Sequence, residues 1–183
     1  MKPATSTLVN KEDCVLIVID VQEKLVPVIE GADKVIENII RLIKFAKIID
    51  MPIVFCEQKN LGNTVLQIRE EIPGLQPISK ITFCCYGSEE FCEHIKQLHR
   101  NTLIISGIEA HICVAQTALS AVSEYTVHVV ADAVSSRSIH NKEIALKRLR
   151  DSGITITSTE MLIYELLKKA GTEEFRKALR LVI

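Results

Sequence analysis

No apolar run in this sequence is longer than a buried strand requires, and the opening MKPATSTLVNKED carries no hydrophobic segment. A membrane-spanning helix needs about 20 consecutive apolar residues, so none is expected, nor is a secretory leader; the cytoplasm is the expected location. No block of like charge is present either. Lys and Arg number 22 against 23 Asp and Glu, for a net charge of −1, and the two signs are interspersed. An electrostatic footprint for nucleic acid or for an anionic membrane is therefore missing, which leaves a small molecule as the expected partner. Gly-rich phosphate loops of the G-x-G-x-x-G or G-x-x-x-x-G-K-[ST] kind are absent, which speaks against a nucleotide-binding domain. So are internal repeats, low-complexity tracts and C-x-x-C spacing, and adjacent Cys84 and Cys85 do not make an efficient redox pair.

What the sequence does hold is 183 residues, 48% hydrophobic, enough for one well-buried core and too few for two ordinary domains. One domain over residues 1–183 is expected. Cys14 to Asp20 reads CVLIVID, the pattern of a strand buried on both faces of a parallel sheet, with Asp20 at its carboxyl end. The spacing of Val35, Ile39, Leu42, Ile43 and Ala46 predicts a helix over 33–50, stopped at Met51-Pro52 before the strand PIVFCE. Residues 58–77 read as a surface excursion with room for one short helix. ISKITFCC at 78–85 predicts a third strand, followed by a helix over about 88–99 and the strand NTLIISGI. HICVAQTALSAVSE, apolar almost all round, predicts a buried helix over 111–124 at a subunit contact. The strand TVHVVADA, a helix over 141–150, the strand ITITS, a helix over about 159–170 and an amphipathic end with Phe175, Ala178, Leu179 and Val182 complete the alternation. Right-handed crossovers then give a three-layer α/β/α fold with a mainly parallel sheet of about six strands, whose ligand site belongs at the carboxyl ends of the strands.

Six cysteines lie in or beside apolar runs without framework spacing, so they are expected as reduced thiols, most of them small buried hydrophobes. Three polar residues, Asp20, Lys80 and Cys113, fall at or just beyond the carboxyl ends of predicted strands. In the first turn of its helix Cys113 meets unpaired N–H groups and the positive end of the dipole, and a nearby ammonium acts the same way, so a thiolate near neutral pH is expected. Asp20 is placed to take the thiol proton and pass it to a leaving amine, while N–H groups at the helix start can hold an oxyanion. Taken one at a time, each residue has a plainer explanation as helix cap, solvated charge or core filler.

The segments IVIDVQEKL, ISKITFCCYGS and SGIEAHICVAQTAL resemble the three catalytic signatures of the isochorismatase-like cysteine hydrolases. Gly107, Glu109, Cys113, Val114, Thr117 and Ala118 fall where that family's pattern places them, and VVADAVSSRS extends a likeness that spans nearly the whole chain. The resemblance implies Asp20, Lys80 and Cys113 as a catalytic triad, a cis peptide between Ile108 and Glu109, and an oxyanion hole from the backbone of Glu109 and Cys113. Substrate contact is expected from Gln22, Gln58, Ile108 and His111, with Glu57 near the same mouth. Nicotinamidases of the superfamily carry an Asp-x-His metal motif where this chain reads FCEQKNLGNT, with no His, so neither a catalytic metal nor a cofactor is expected. Family members that cleave a vinyl ether do not require the nucleophilic Cys; its presence tilts the expectation to amide, ureido or carbamoyl bonds. Cys84 replaces the family's usual Ser after the Phe. The EQ...LG.T and GIEAH patterns resemble the isochorismatase-domain subgroup, which leaves the substrate open. Asp132, Ser135, Ser136 and Arg137 are expected mainly in turns and caps, and His94, His99, His128 and His140 as ordinary histidines. A homo-oligomer is expected, and the competing reading is a non-catalytic binding protein that kept the fold.

Overall fold

Every side chain of Cys14–Ile19 is buried, as a strand covered on both faces requires, and this run forms β1, third in a six-stranded sheet. The computed structural model describes residues 8–74 and 76–182. The expectation for the opening segment therefore lies outside the described residues as far as Thr7. After β1 come helix α1 (Ala32–Ile48), strand β2 (Ile53–Gln58), the short helix α2 (Leu66–Glu71), strand β3 (Ile78–Lys80) and helix α3 (Glu89–Gln97). The second half holds β4 (Thr102–Ile108), α4 (Ala115–Ala121), β5 (Thr126–Ser135), α5 (Ile139–Asp151), β6 (Thr155–Thr157), α6 (Thr159–Leu167) and α7 (Glu173–Val182). All neighbouring strands pair in parallel, in the order β3-β2-β1-β4-β5-β6, with helices on both faces.

The period of two in β1 divides the core. Leu16 and Val18 pack with α1, α6 and α7 on one face; Val15, Ile17 and Ile19 pack with α3, α4 and the end of α5 on the other. Strand order reverses between β1 and β4, and the crevice for a ligand in such a sheet lies at the carboxyl ends around that point. Gly107 makes the approach possible. It lies opposite Ile19 at φ +117°, and a Cβ there would fall 2.1 Å from the Ile19 carbonyl oxygen.

Three elements differ from the sequence reading. The third strand ends at Lys80 because its partner β2 ends at Gln58, directly opposite, so no ladder remains for ITFCC. That run leaves the sheet, and Ile81 and Phe83 are exposed despite their apolar character. The helix expected over 111–124 opens with a π-helical turn, Ala110–Val114, before α4 proper. Ala115, Ala118 and Ala121 pack into the protein's own core. Finally, α6 stops at Leu167, where Lys168 turns to φ +60°.

Candidate active site

The carboxyl ends of β1, β2, β3 and β4 deliver the polar residues of the site. Asp20 follows β1 directly and holds a left-handed φ of +55°, a conformation that costs free energy in a non-glycine residue. Lys80 is the last residue of β3, and its Nζ donates to Asp20 Oδ2 at 2.7 Å and to Gln58 Oε1 at 3.0 Å. The pair is out of solvent, with side-chain exposures of 1% for Lys80 and 0% for Asp20. Cys113 sits in the π-helical turn after β4 and is 6% exposed. The Cys113 thiol is near enough to act on the Asp20 carboxyl, whose Oδ1 is buried with no hydrogen-bond partner.

Burial dominates the electrostatics. It holds the Asp20 carboxyl above its ordinary range, against the opposing pull of Lys80. Burial alone lowers Lys80, but the Asp20 carboxylate more than offsets it, so the ammonium is retained. The thiolate expected for Cys113 near neutral pH is not favoured in the resting site. Burial raises the thiol, the Asp20 carboxylate adds to the rise, and Lys80 offsets only part of it. The arrangement is a neutral thiol beside a carboxylate of increased basicity, with an ammonium to balance the charge. Such a site generates its nucleophile by passing the proton as the nucleophile attacks.

The other expected contacts divide. Gln22 is fully buried, and its amide holds protein backbone: Nε2 donates to Gln58 O at 3.0 Å and Gly62 O at 2.6 Å, while Oε1 accepts from Gln58 N at 2.9 Å. These bonds anchor the loop that follows β2. The Gln58 amide is likewise committed, its Oε1 accepting from Lys80 and its Nε2 donating to Ile81 O. Glu57, on the opposite face of β2, accepts from Thr64 N and Oγ1. Ile108 is buried and joined to Glu109 by a cis peptide bond. The Glu109 carboxylate accepts from Arg137 N and Nε, and His111 Nδ1 lies 2.9 Å from Ser136 Oγ. Asp132 accepts from Thr159 N and Oγ1, capping α6, and Ser135 donates to Glu30 O. His128 is buried in β5 with both ring nitrogens unpaired.

Two thiols at the site escaped the sequence reading. Cys56 and Cys85 are buried and near enough to act on each other's ionisation, and Lys80 and Asp20 act on both. Thr117 of α4 accepts from Cys85 N at 3.0 Å, which ties the loop after Lys80 to the helix after Cys113. The period of two sets Cys56 on the same face of β2 as Gln58, a signal that could have found it. Among the described residues, no group of three or more His, Cys, Asp and Glu side chains is arranged to hold a metal ion, and no helix is long and apolar enough to cross a membrane.

Residues 14–161 match the family model of the isochorismatase domain. The secreted isochorismatase effector Isc1 of Phytophthora sojae (strain P6497) is 36% identical over 175 residues, covering 92% of this chain and 83% of its own. The structure of MAR1 ribonuclease from Caenorhabditis elegans is similar with a TM-score of 0.89 at 32% identity, over 96% of this chain and 92% of that one. The YcaC gene product from Escherichia coli, an octameric hydrolase of unknown specificity, has a TM-score of 0.86 over 97% of this chain and 88% of its own; at 22% identity this is a likeness of fold. Sequence and architecture agree: the chain belongs to the isochorismatase family and carries its hydrolase fold.

Proposed function

We propose that this chain hydrolyses a carbon–nitrogen bond of a small amide, ureido or carbamoyl compound, with Cys113 as nucleophile, Asp20 as general base and acid, and Lys80 as fixed counter-charge. The observation that carries the reading is the solvent-free Lys80–Asp20 pair at 2.7 Å, with the Cys113 thiol near enough to act on the same carboxylate. The Sγ proton passes to Asp20 as sulfur attacks the carbonyl carbon. Backbone N–H groups of Glu109 and Cys113 are assigned to the oxyanion, and Lys80 keeps the site near neutral. Collapse breaks the C–N bond, and the amine departs with the proton held by Asp20. A thioester to Cys113 is left. Water then gives a proton to Asp20, its oxygen attacks the thioester carbon, and Sγ leaves and regains the proton. As drawn, the cycle uses no metal or cofactor.

A single domain, a homo-oligomer and a cytoplasmic location belong to the same reading. Exposed Ile81 and Phe83, and the octameric E. coli fold neighbour, support assembly; six free thiols support a reducing compartment. The C. elegans structure, described as a ribonuclease, brings RNA cleavage as a second reading, which the interspersed charges of this chain do not favour. A panel of amides, ureido acids, carbamoyl compounds and RNA separates them. We expect ammonia or amine release from at least one small compound, unaffected by a chelator and reduced by at least about 10³-fold in Cys113→Ala. RNA cleavage alone, or full turnover by Cys113→Ala, contradicts the proposal.

A further inference from the structure

Four polar atoms of Gln58 are committed, and each commitment points the same way. Its backbone N–H donates to Gln22 Oε1 at 2.9 Å and its carbonyl accepts from Gln22 Nε2 at 3.0 Å, so the Gln22 amide grips both main-chain polar groups of Gln58. Gln22 is in turn tied to Gly62 O. On the side chain, Nε2 donates to Ile81 O and Oε1 accepts from Lys80 Nζ at 3.0 Å. A flipped amide would set its NH2 group against the ammonium and its oxygen against a carbonyl, so only one orientation satisfies all partners. An ammonium on a long flexible stem held by Asp20 alone is free to swing about that contact. Two acceptors fix its position and the direction of its third N–H.

We infer that Gln58, locked in place by Gln22, is a positioning residue that holds the Lys80 ammonium where it acts on Asp20 and Cys113 together. The inference rests on the reading of Cys113 as nucleophile. The titratable and charged groups facing that thiol are Asp20 after β1, Lys80 at the end of β3 and Cys85 in the turn that follows. Of these, Lys80 is the one that favours the thiolate, so loosening it makes the thiol harder to ionise.

The test is the pH profile of Cys113 alkylation by iodoacetamide, read by peptide mapping, in wild type, Gln58→Met and Gln58→Ala. Methionine keeps the length and removes the acceptor; alanine provides a second variant. Thr64→Val, which removes a hydrogen bond between the same loop and Glu57 but none to Lys80, is the structural control. We expect both Gln58 variants to move the profile to higher pH and to lower the rate at fixed pH about ten-fold, as loss of a hydrogen bond to a charged group implies. Thr64→Val should keep the wild-type profile. Folded Gln58 variants with an unmoved profile, or an equal shift in Thr64→Val, overturn the inference while Cys113 stays the nucleophile. An inert Cys113 in wild type removes the proposed function and the inference with it.

Discussion

The two ends of β1 carry the same chemical groups in opposite surroundings. Before its first residue, Lys11 meets Glu174 at 2.6 Å, with side-chain exposures of 31% and 38%, and Cys14 is buried with its thiol donating only to Asn10 O. Beyond its last residue, Lys80 meets Asp20 at 2.7 Å with almost no exposure, beside buried Cys113. The ion pairs have nearly equal lengths and the thiols are both pushed up, Cys14 to about 12. Separation and thiol burial therefore do not distinguish a site from a surface. The difference is dehydration of the ion pair together with its contact to the thiol: out of water a carboxylate becomes a stronger base, and an ammonium counts at nearly its full charge.

Removing the cation at each end sharpens the contrast most. Lys80→Met leaves Asp20 buried without its counter-charge and should destabilise by about 3–5 kcal/mol, whereas Lys11→Met, at an exposed pair, should change stability by less than about 1 kcal/mol. Urea denaturation of the two variants measures both, and equal losses would dissolve the distinction. A smaller effect comes from His128, an ionisable group buried without any partner. Burial lowers its pKa below the ordinary 6.5, so the unfolded chain binds this proton more readily than the native one. Stability is then complete above about pH 6.5 and falls as the pH drops toward the lowered native value. Denaturation at pH 7.5 and 5.5 should show that His128→Val removes this part of the loss; an unchanged pH dependence would mean that His128 finds a partner.

Much of this was legible in the sequence because buried parallel strands leave unbroken apolar runs. CVLIVID and NTLIISGI announced the central strands, and their carboxyl ends announced Asp20 and the approach to Cys113. The end of β3 was not legible, because ITF is apolar whether it pairs or faces water, and only the length of β2 stops the ladder. Gln58 was visible as a polar residue near the cleft, but a sequence does not show which way an amide points or that Gln22 fixes it. The ionisation of Cys113 was misjudged for a related reason. The helix start and Lys80 were countable from the sequence, while the depth of burial was not.

The central claim is that Cys113, unlike the buried Cys14, is a working nucleophile because Asp20 and Lys80 stand beside it. Alkylation with iodoacetamide at neutral pH, followed site by site with mass spectrometry and alongside turnover, measures this directly. The account predicts that Cys113 is modified faster than Cys14, that turnover disappears in step with its modification, and that Asp20→Asn abolishes turnover even though it removes the carboxylate that raises the thiol. Cys113 as inert as Cys14, or turnover that survives its complete modification, would contradict it.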